Sequence, residues 1–154
     1  MKISIRMSIL CSLFGLVTGI FVSNNATGEG YEIFPIFSFV ASLICSFLLW
    51  HYLIVKRKSN SILMGISVGL IIVILSHYFT WYFMALYFYI CSSFSVKCLS
   101  SLGEKTMNPI QSIYLLVPYT VLSLIIAWIT LPLGGFIGAI GVKLQNNTKA
   151  LEKN

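Results

Sequence analysis

Long apolar stretches alternate with short charged ones along the whole chain. Four intervals contain no Asp, Glu, Lys or Arg: residues 7–28, 33–55, 59–96 and 106–142. A helix needs roughly 20 apolar residues to cross a hydrocarbon core of about 30 Å, so each interval suffices for one crossing. Two crossings would need about 40 apolar residues with a turn between them, which neither of the two longer intervals offers.

This pattern predicts an all-α integral membrane protein, a four-transmembrane-helix bundle that forms a single domain over residues 1–154. The expected spans are about residues 3–22, 34–55, 61–83 with an apolar extension to 90, and 113–142. The lipid bilayer is therefore the first partner that the sequence implies. The sequence does not indicate an oligomeric state.

Each predicted helix carries one stripe of small residues at helical spacing. The stripes contain the pairs Gly15 and Gly19, Ser38 and Ser42, Gly65 and Gly69, and Gly134 and Gly138. Helices in lipid gain little from hydrophobic burial against one another, so they associate by close backbone approach at Gly, Ala or Ser. Four helices with one small face each are expected to close into a single bundle.

Basic residues are distributed unequally between the two sides of such a bundle. Eight of the ten fall on one side: Lys2, Arg6, Lys56, Arg57, Lys58, Lys143, Lys149 and Lys153. The positive-inside rule then predicts cytoplasmic N- and C-termini in a cell (inner) membrane. The net charge of +6 is thus mainly a topology signal, and no nucleic-acid partner is expected, because three basic residues in a tight loop make a weak patch.

The first segment has a second interpretation, a cleaved signal peptide. It has a basic start, an apolar run and then the polar residues 23–25. Its apolar run exceeds the usual length of about 7 to 15 residues, which favours a retained span. Cleavage would leave three spans, and the C-terminus would still be on the cytoplasmic side.

One ionisable side chain, that of His77, lies well inside a predicted span. Such residues are costly in lipid and are candidates for function, here together with the hydroxyls of Ser76 and Thr80. A neutral histidine can instead hydrogen-bond a neighbouring helix and fasten the bundle. In the fourth helix, Pro132 removes the hydrogen bond to the carbonyl of Trp128, which predicts either a packing kink or a hinge.

Aromatic residues collect at the outer end of the third helix, between residues 78 and 89. Trp50 and Tyr52 are assigned to a second aromatic belt at the cytoplasmic interface. The outer group is denser than anchoring requires, so a surface for a partner or a ligand is the alternative.

Two cysteines, Cys91 and Cys98, lie seven positions apart on the predicted outer side. In an oxidising compartment they can form a disulfide, whereas Cys11 and Cys45 are expected to be small packing residues. The sequence lacks the Cys-x-x-Cys pair that is usual in redox enzymes, which counts against a redox activity.

The chain contains no Asp, and no Glu, Lys or Arg lies deep within a span. Neither a catalytic constellation nor a metal or cofactor site can be assembled from four acidic residues on two membrane faces. The first hypothesis is a non-enzymatic protein that acts through helix–helix contacts with another membrane protein, in an immunity-like or accessory role. In size and topology the chain is similar to the four-helix immunity proteins against pore-forming colicins, an analogy that no shared motif supports. The alternative is a small carrier or channel whose polar path includes His77, Ser76 and Thr80.

Overall fold

The computed structural model describes residues 2–26, 30–94, 108–126 and 128–151, and every regular element within these ranges is helical. The α-helices are α1 (Lys2–Asn25), α2 (Phe34–Leu49), α3 (Ile62–Ser93), α4 (Pro109–Ile126) and α5 (Thr130–Leu151). A short 3-10 helix, Tyr31–Ile33, precedes α2, and a π-helix, Trp50–Val55, continues it. Four helical segments are long and apolar enough to cross a membrane, as predicted: Ile3–Asn25, Tyr31–Val55, Ile62–Ser93 and Pro109–Ile126.

The fourth predicted span, residues 113–142, differs from the structure because it is not one helix. α4 begins earlier, at Pro109, and ends at Ile126, and α5 begins at Thr130 after a turn at residues 128 and 129. Pro132 explains where α5 begins. Proline has no N–H to donate within a helix but fits the first turn, where N–H groups have no partner in the helix.

α1 and α2 pack antiparallel along their small stripes. The Ser38 hydroxyl donates to the Gly15 carbonyl at 2.7 Å, and the Ser8 hydroxyl donates to the Leu43 carbonyl at 3.1 Å. A methyl group added to Gly19 would lie 2.7 Å from the Cα of Pro35. The two backbones are therefore too close for any side chain at these glycines.

The second close contact joins α3 and α5, also antiparallel. A Cβ at Gly65 would lie 2.6 Å from the carbonyl oxygen of Gly138, and a Cβ at Gly69 would lie 2.9 Å from the carbonyl carbon of Gly134. These two stripes thus fit directly against each other. α2 packs against α3 and joins the two pairs, while α4 packs on the remaining length of α3.

One end of the bundle gathers the basic side chains of the described residues. α1 begins there, α3 begins there and α5 ends there, and the amide of Asn146 donates to the carbonyl of Asn60 at 3.2 Å. We call this end, which carries Arg6, Lys56, Arg57, Lys58 and Lys143, the basic end. A hydrophobic cluster closes it, made of Met7, Trp50, Ile54, Val68, Ile72 and Val142.

The contact between α3 and α5 predicts a sharp difference between two neighbouring glycines. Gly69→Ala is expected to lower the free energy of unfolding by about 1–3 kcal/mol, because its methyl group would overlap the backbone of Gly134. In Gly135→Ala, the added methyl group would meet only side-chain methyl groups of Ile66 and Leu70, at 3.3 and 3.7 Å, and little change is expected.

The measurement is equilibrium unfolding of both purified variants in mixed micelles. An equal loss of stability in the two variants would contradict the contact.

Candidate functional site

The interruption between α4 and α5 lies beside His77. The Nδ1 atom of His77 lies 2.6 Å from the hydroxyl of Ser123 in α4, and its Nε2 atom lies 3.3 Å from the hydroxyl of Thr130 in α5. A neutral imidazole has one donor and one acceptor nitrogen, so it can satisfy both hydroxyls at once. His77 therefore connects α3 to both halves of the broken helix.

Ser76 and Thr80 lie on α3 within one turn of His77. Thr80 is buried, and its hydroxyl donates to the carbonyl of Ser76 at 2.7 Å. The three predicted polar residues line one cavity together with Ser123 and Thr130. The structure thus brings the predicted polar residues together, and it adds the two hydroxyls that His77 contacts.

The cavity has a volume of about 480 Å³ and takes lining residues from all five α-helices. On α1 its lining runs from Met7 to Asn25, which at 1.5 Å per residue is about 27 Å. The cavity is therefore long and narrow, and its length is close to the thickness of a hydrocarbon core, about 30 Å. Among the residues that the structure describes, none that lines the cavity is Asp, Glu, Lys or Arg.

The cavity opens sideways, between α1 and α4. α1 packs on α2 along its length and approaches α5 near the basic end, where Met7 adjoins Gly141, but the described residues show no comparable packing of α1 along α4. Phe21 on α1 and Leu122 and Ile126 on α4 line the cavity and are 69%, 54% and 73% exposed. The four helices therefore do not close into the complete bundle that their small faces predict.

Most hydroxyl groups on the cavity wall are already hydrogen-bonded within the chain. Thr18 donates to the carbonyl of Gly15 at 2.9 Å, and Ser42 donates to the carbonyl of Ser38 at 2.6 Å. The hydroxyl of Ser76 and the indole Nε1 atoms of Trp50 and Trp81, in contrast, are buried and have no hydrogen-bond partner in the described part of the chain. Both tryptophans line the cavity.

An aromatic cluster surrounds Trp81 at the end of the cavity remote from the basic end. The ring of Trp81 lies 5.5 Å from that of Phe34, 6.4 Å from that of Tyr31 and 6.0 Å from that of Tyr119, between centroids. Phe34 is the first residue of α2, so this cluster lies where α2 begins. Part of the aromatic density at the outer end of α3 is thus explained by packing inside the protein.

Trp50 was expected at the membrane interface and is instead fully buried, which corrects that prediction. Its six-membered ring lies against Gly141, where an added Cβ would be 2.6 Å from Cη2 of Trp50. The sequence contains a signal for this contact, since Gly141 extends the stripe of Gly134 and Gly138 toward the end of α2. The sequence does not reveal which large residue would fill the space above that glycine.

Only one of the two cysteines of the predicted disulfide lies in the described part of the chain. Cys91, near the end of α3, is disulfide-bonded, while Cys11 and Cys45 are free. Cys98 lies outside the described residues, so the pairing of Cys91 with Cys98 stays a prediction.

Comparisons of the chain with protein-family models, with curated proteins and with solved structures found no match.

The bridge at His77 predicts a measurable coupling between α3 and α4. In a double-mutant cycle, His77→Ala and Ser123→Ala are expected to show an interaction energy of about 0.6 kcal/mol, with about 1.7 as the upper bound for hydrogen bonds between membrane helices. Unfolding in mixed micelles gives the four free energies of the cycle.

Thr120→Ala is the matched control for Ser123→Ala. Its hydroxyl also lies on α4 but donates to the carbonyl of Leu116 in its own helix at 2.9 Å. The cycle of His77→Ala with Thr120→Ala should therefore give no coupling. A coupling equally large in both cycles would contradict the bridge.

Proposed function

We propose that this chain is a small, non-enzymatic multi-pass membrane protein that binds an uncharged molecule in the cavity and carries it within or across the bilayer. The observation that carries the proposal is a discontinuous helix, α4–α5, beside a cavity of about 480 Å³. Many transporters form their substrate sites from discontinuous helices, and small-molecule sites have volumes of about 300–1,000 Å³. The carrier is thus the function with the best geometric support.

The composition of the cavity wall indicates that the carried molecule has no charge. A charged group inside the membrane is costly unless an opposite charge or a set of hydrogen bonds compensates it. The described part of the wall has no acidic, lysine or arginine side chain, and both ring nitrogens of His77 already have partners. A neutral molecule is therefore the ligand that this wall accommodates.

The small-residue stripes give less support to a helix–helix contact with another membrane protein. Gly15 and Gly19 lie against α2, and Gly65 and Gly69 lie against α5. A partner helix would have to use other surfaces, because these stripes are occupied within the chain. An immunity-like or accessory role has no comparable structural support.

The distribution of charge supports an orientation with both termini in the cytoplasm, in a cell (inner) membrane. Arg6, Lys56–Lys58 and Lys143 share one end of the bundle, whereas Glu32 lies near the start of α2 at the other end. Basic residues close to short loops are retained on the cytoplasmic side.

This orientation predicts the behaviour of reporter fusions in bacteria. Alkaline phosphatase, which is active only outside the cytoplasm, should be inactive when fused after residue 154 and active when fused after residue 94. A fluorescent protein at the C-terminus should give the complementary result. Activity of the C-terminal phosphatase fusion would refute the proposed orientation.

The carrier role predicts protein-dependent flux in reconstituted vesicles. Purified protein should accelerate the transbilayer movement of at least one of two neutral probes, glycerol or a monoacylglycerol, relative to protein-free vesicles. Thr18→Phe should remove most of this acceleration, because Thr18 lines the cavity and its hydroxyl bonds only to its own helix.

Val17→Phe is the matched control in the flux experiment. Val17 is adjacent in sequence, is 63% exposed and does not line the cavity, so its enlargement should leave the flux unchanged. If wild type accelerates neither probe, or if both variants behave alike, the carrier role is wrong. Unchanged flux in His77→Ala would limit His77 to a fastening role.

A further inference from the structure

The hydrogen-bonding groups that remain free on the cavity wall restrict the chemistry of its ligand. The hydroxyls of Thr18, Ser38, Ser42 and Thr80 all donate to backbone carbonyls, and those of Ser123 and Thr130 bond to His77. The buried wall groups without a hydrogen-bond partner in the described part of the chain are the hydroxyl of Ser76 and the indole N–H groups of Trp50 and Trp81. An indole N–H only donates, so it is matched by an oxygen acceptor.

The rest of the wall favours a hydrocarbon chain over a compact polar molecule. The cavity extends about 27 Å along α1 and is mostly apolar, and among its described lining residues the only acidic or basic group is the hydrogen-bonded His77. A polyol or sugar would bury several hydroxyl groups here without partners, at a cost for each one. A single alkyl chain would bury no polar group over the same length.

Trp81 is the best placed of the three free donors to hold a polar head, because Ser76 lies five residues nearer the basic end on α3. Phe34–Val55 spans about 33 Å at 1.5 Å per residue, close to the thickness of the hydrocarbon core of about 30 Å. Phe34, at one end of this length, is in ring contact with Trp81. Trp81 therefore lies near the depth of lipid carbonyl groups, whereas Trp50 lies within the hydrophobic cluster of the basic end.

The opening of the cavity faces the lipid. Phe21, Leu122 and Ile126 are both wall residues and exposed apolar residues, so the gap between α1 and α4 connects the cavity with the hydrocarbon core. A molecule already dissolved in the bilayer can enter there without crossing water.

From these observations, and resting on the proposed carrier function, we propose that the ligand is a neutral, lipid-like amphiphile with one hydrocarbon chain and a carbonyl group. It enters between α1 and α4, its chain extends toward Trp50, and its carbonyl oxygen accepts a hydrogen bond from Nε1 of Trp81.

Two probes that differ only at the carbonyl group test this assignment. One is a monoacylglycerol and the other is the monoalkylglycerol ether of the same chain length, each with a photoreactive diazirine in the chain. Wild-type protein in nanodiscs should bind the ester about three- to tenfold more tightly than the ether, the usual contribution of one net hydrogen bond. Photolabelling should concentrate on wall residues of α1 and α4 such as Phe14 and Leu122.

Trp81→Phe keeps an aromatic ring and removes the N–H group, so it should abolish the preference for the ester. Trp128→Phe is the control, because Trp128 is 69% exposed and does not line the cavity, and it should retain the preference. Equal binding of both probes by wild type, a preference that survives in Trp81→Phe, or labelling spread evenly over the lipid-facing residues would each overturn the assignment.

The flux probes separate this inference from the function on which it rests. Acceleration of glycerol without binding or movement of the monoacylglycerol would refute the lipid-like ligand and leave the carrier in place. No acceleration of either probe would refute both.

Discussion

The backbone contact between α3 and α5 is the constraint on which the rest of the arrangement depends. Gly65 and Gly69 meet Gly134 and Gly138 so closely that no Cβ fits at three of these positions without displacing backbone. In lipid, where apolar burial gives helices no advantage, such close packing is the main attraction available. Once α5 is fixed against α3 at these glycines, its first residue, Thr130, necessarily lies beside His77.

The position of the break follows from this contact together with one proline. A helix that continued from α4 through Pro132 would leave the carbonyl four residues earlier unbonded inside the membrane, which is costly without another partner. The chain instead ends α4 at Ile126 and begins α5 so that Pro132 lies in its first turn. His77 then contacts a hydroxyl on each side of the break, which ties both halves to α3.

The sequence predicted the helices and their buried faces better than it predicted how the faces pair. Hydrophobic length alone predicted four helical segments long and apolar enough to cross a bilayer, although the fourth predicted span is divided between α4 and α5. The stripe at Gly15 and Gly19 had several chemically equivalent partners, however, and nothing local specifies that it packs on Ser38 and Pro35. For the same reason, only part of the candidate site was predicted. His77 was recognisable by its cost in lipid, whereas its partners Ser123 and Thr130 depend on tertiary packing.

The open side of the bundle follows from the same pairing. The small face of α1 is used against α2, and the small faces of α3 and α5 are used against each other, so the two pairs are joined mainly through α2 and α3. The gap between α1 and α4 is bordered by large side chains, among them Phe21, Leu122 and Ile126. Large residues prevent the close backbone approach that would draw these helices together. In water such a gap would close to bury its apolar walls, but in a bilayer its closure gains little, since a hydrocarbon chain covers the same surface equally well. An open, apolar cavity is thus stable in this protein only in a solvent that can fill it, which is why its contents are expected to resemble that solvent.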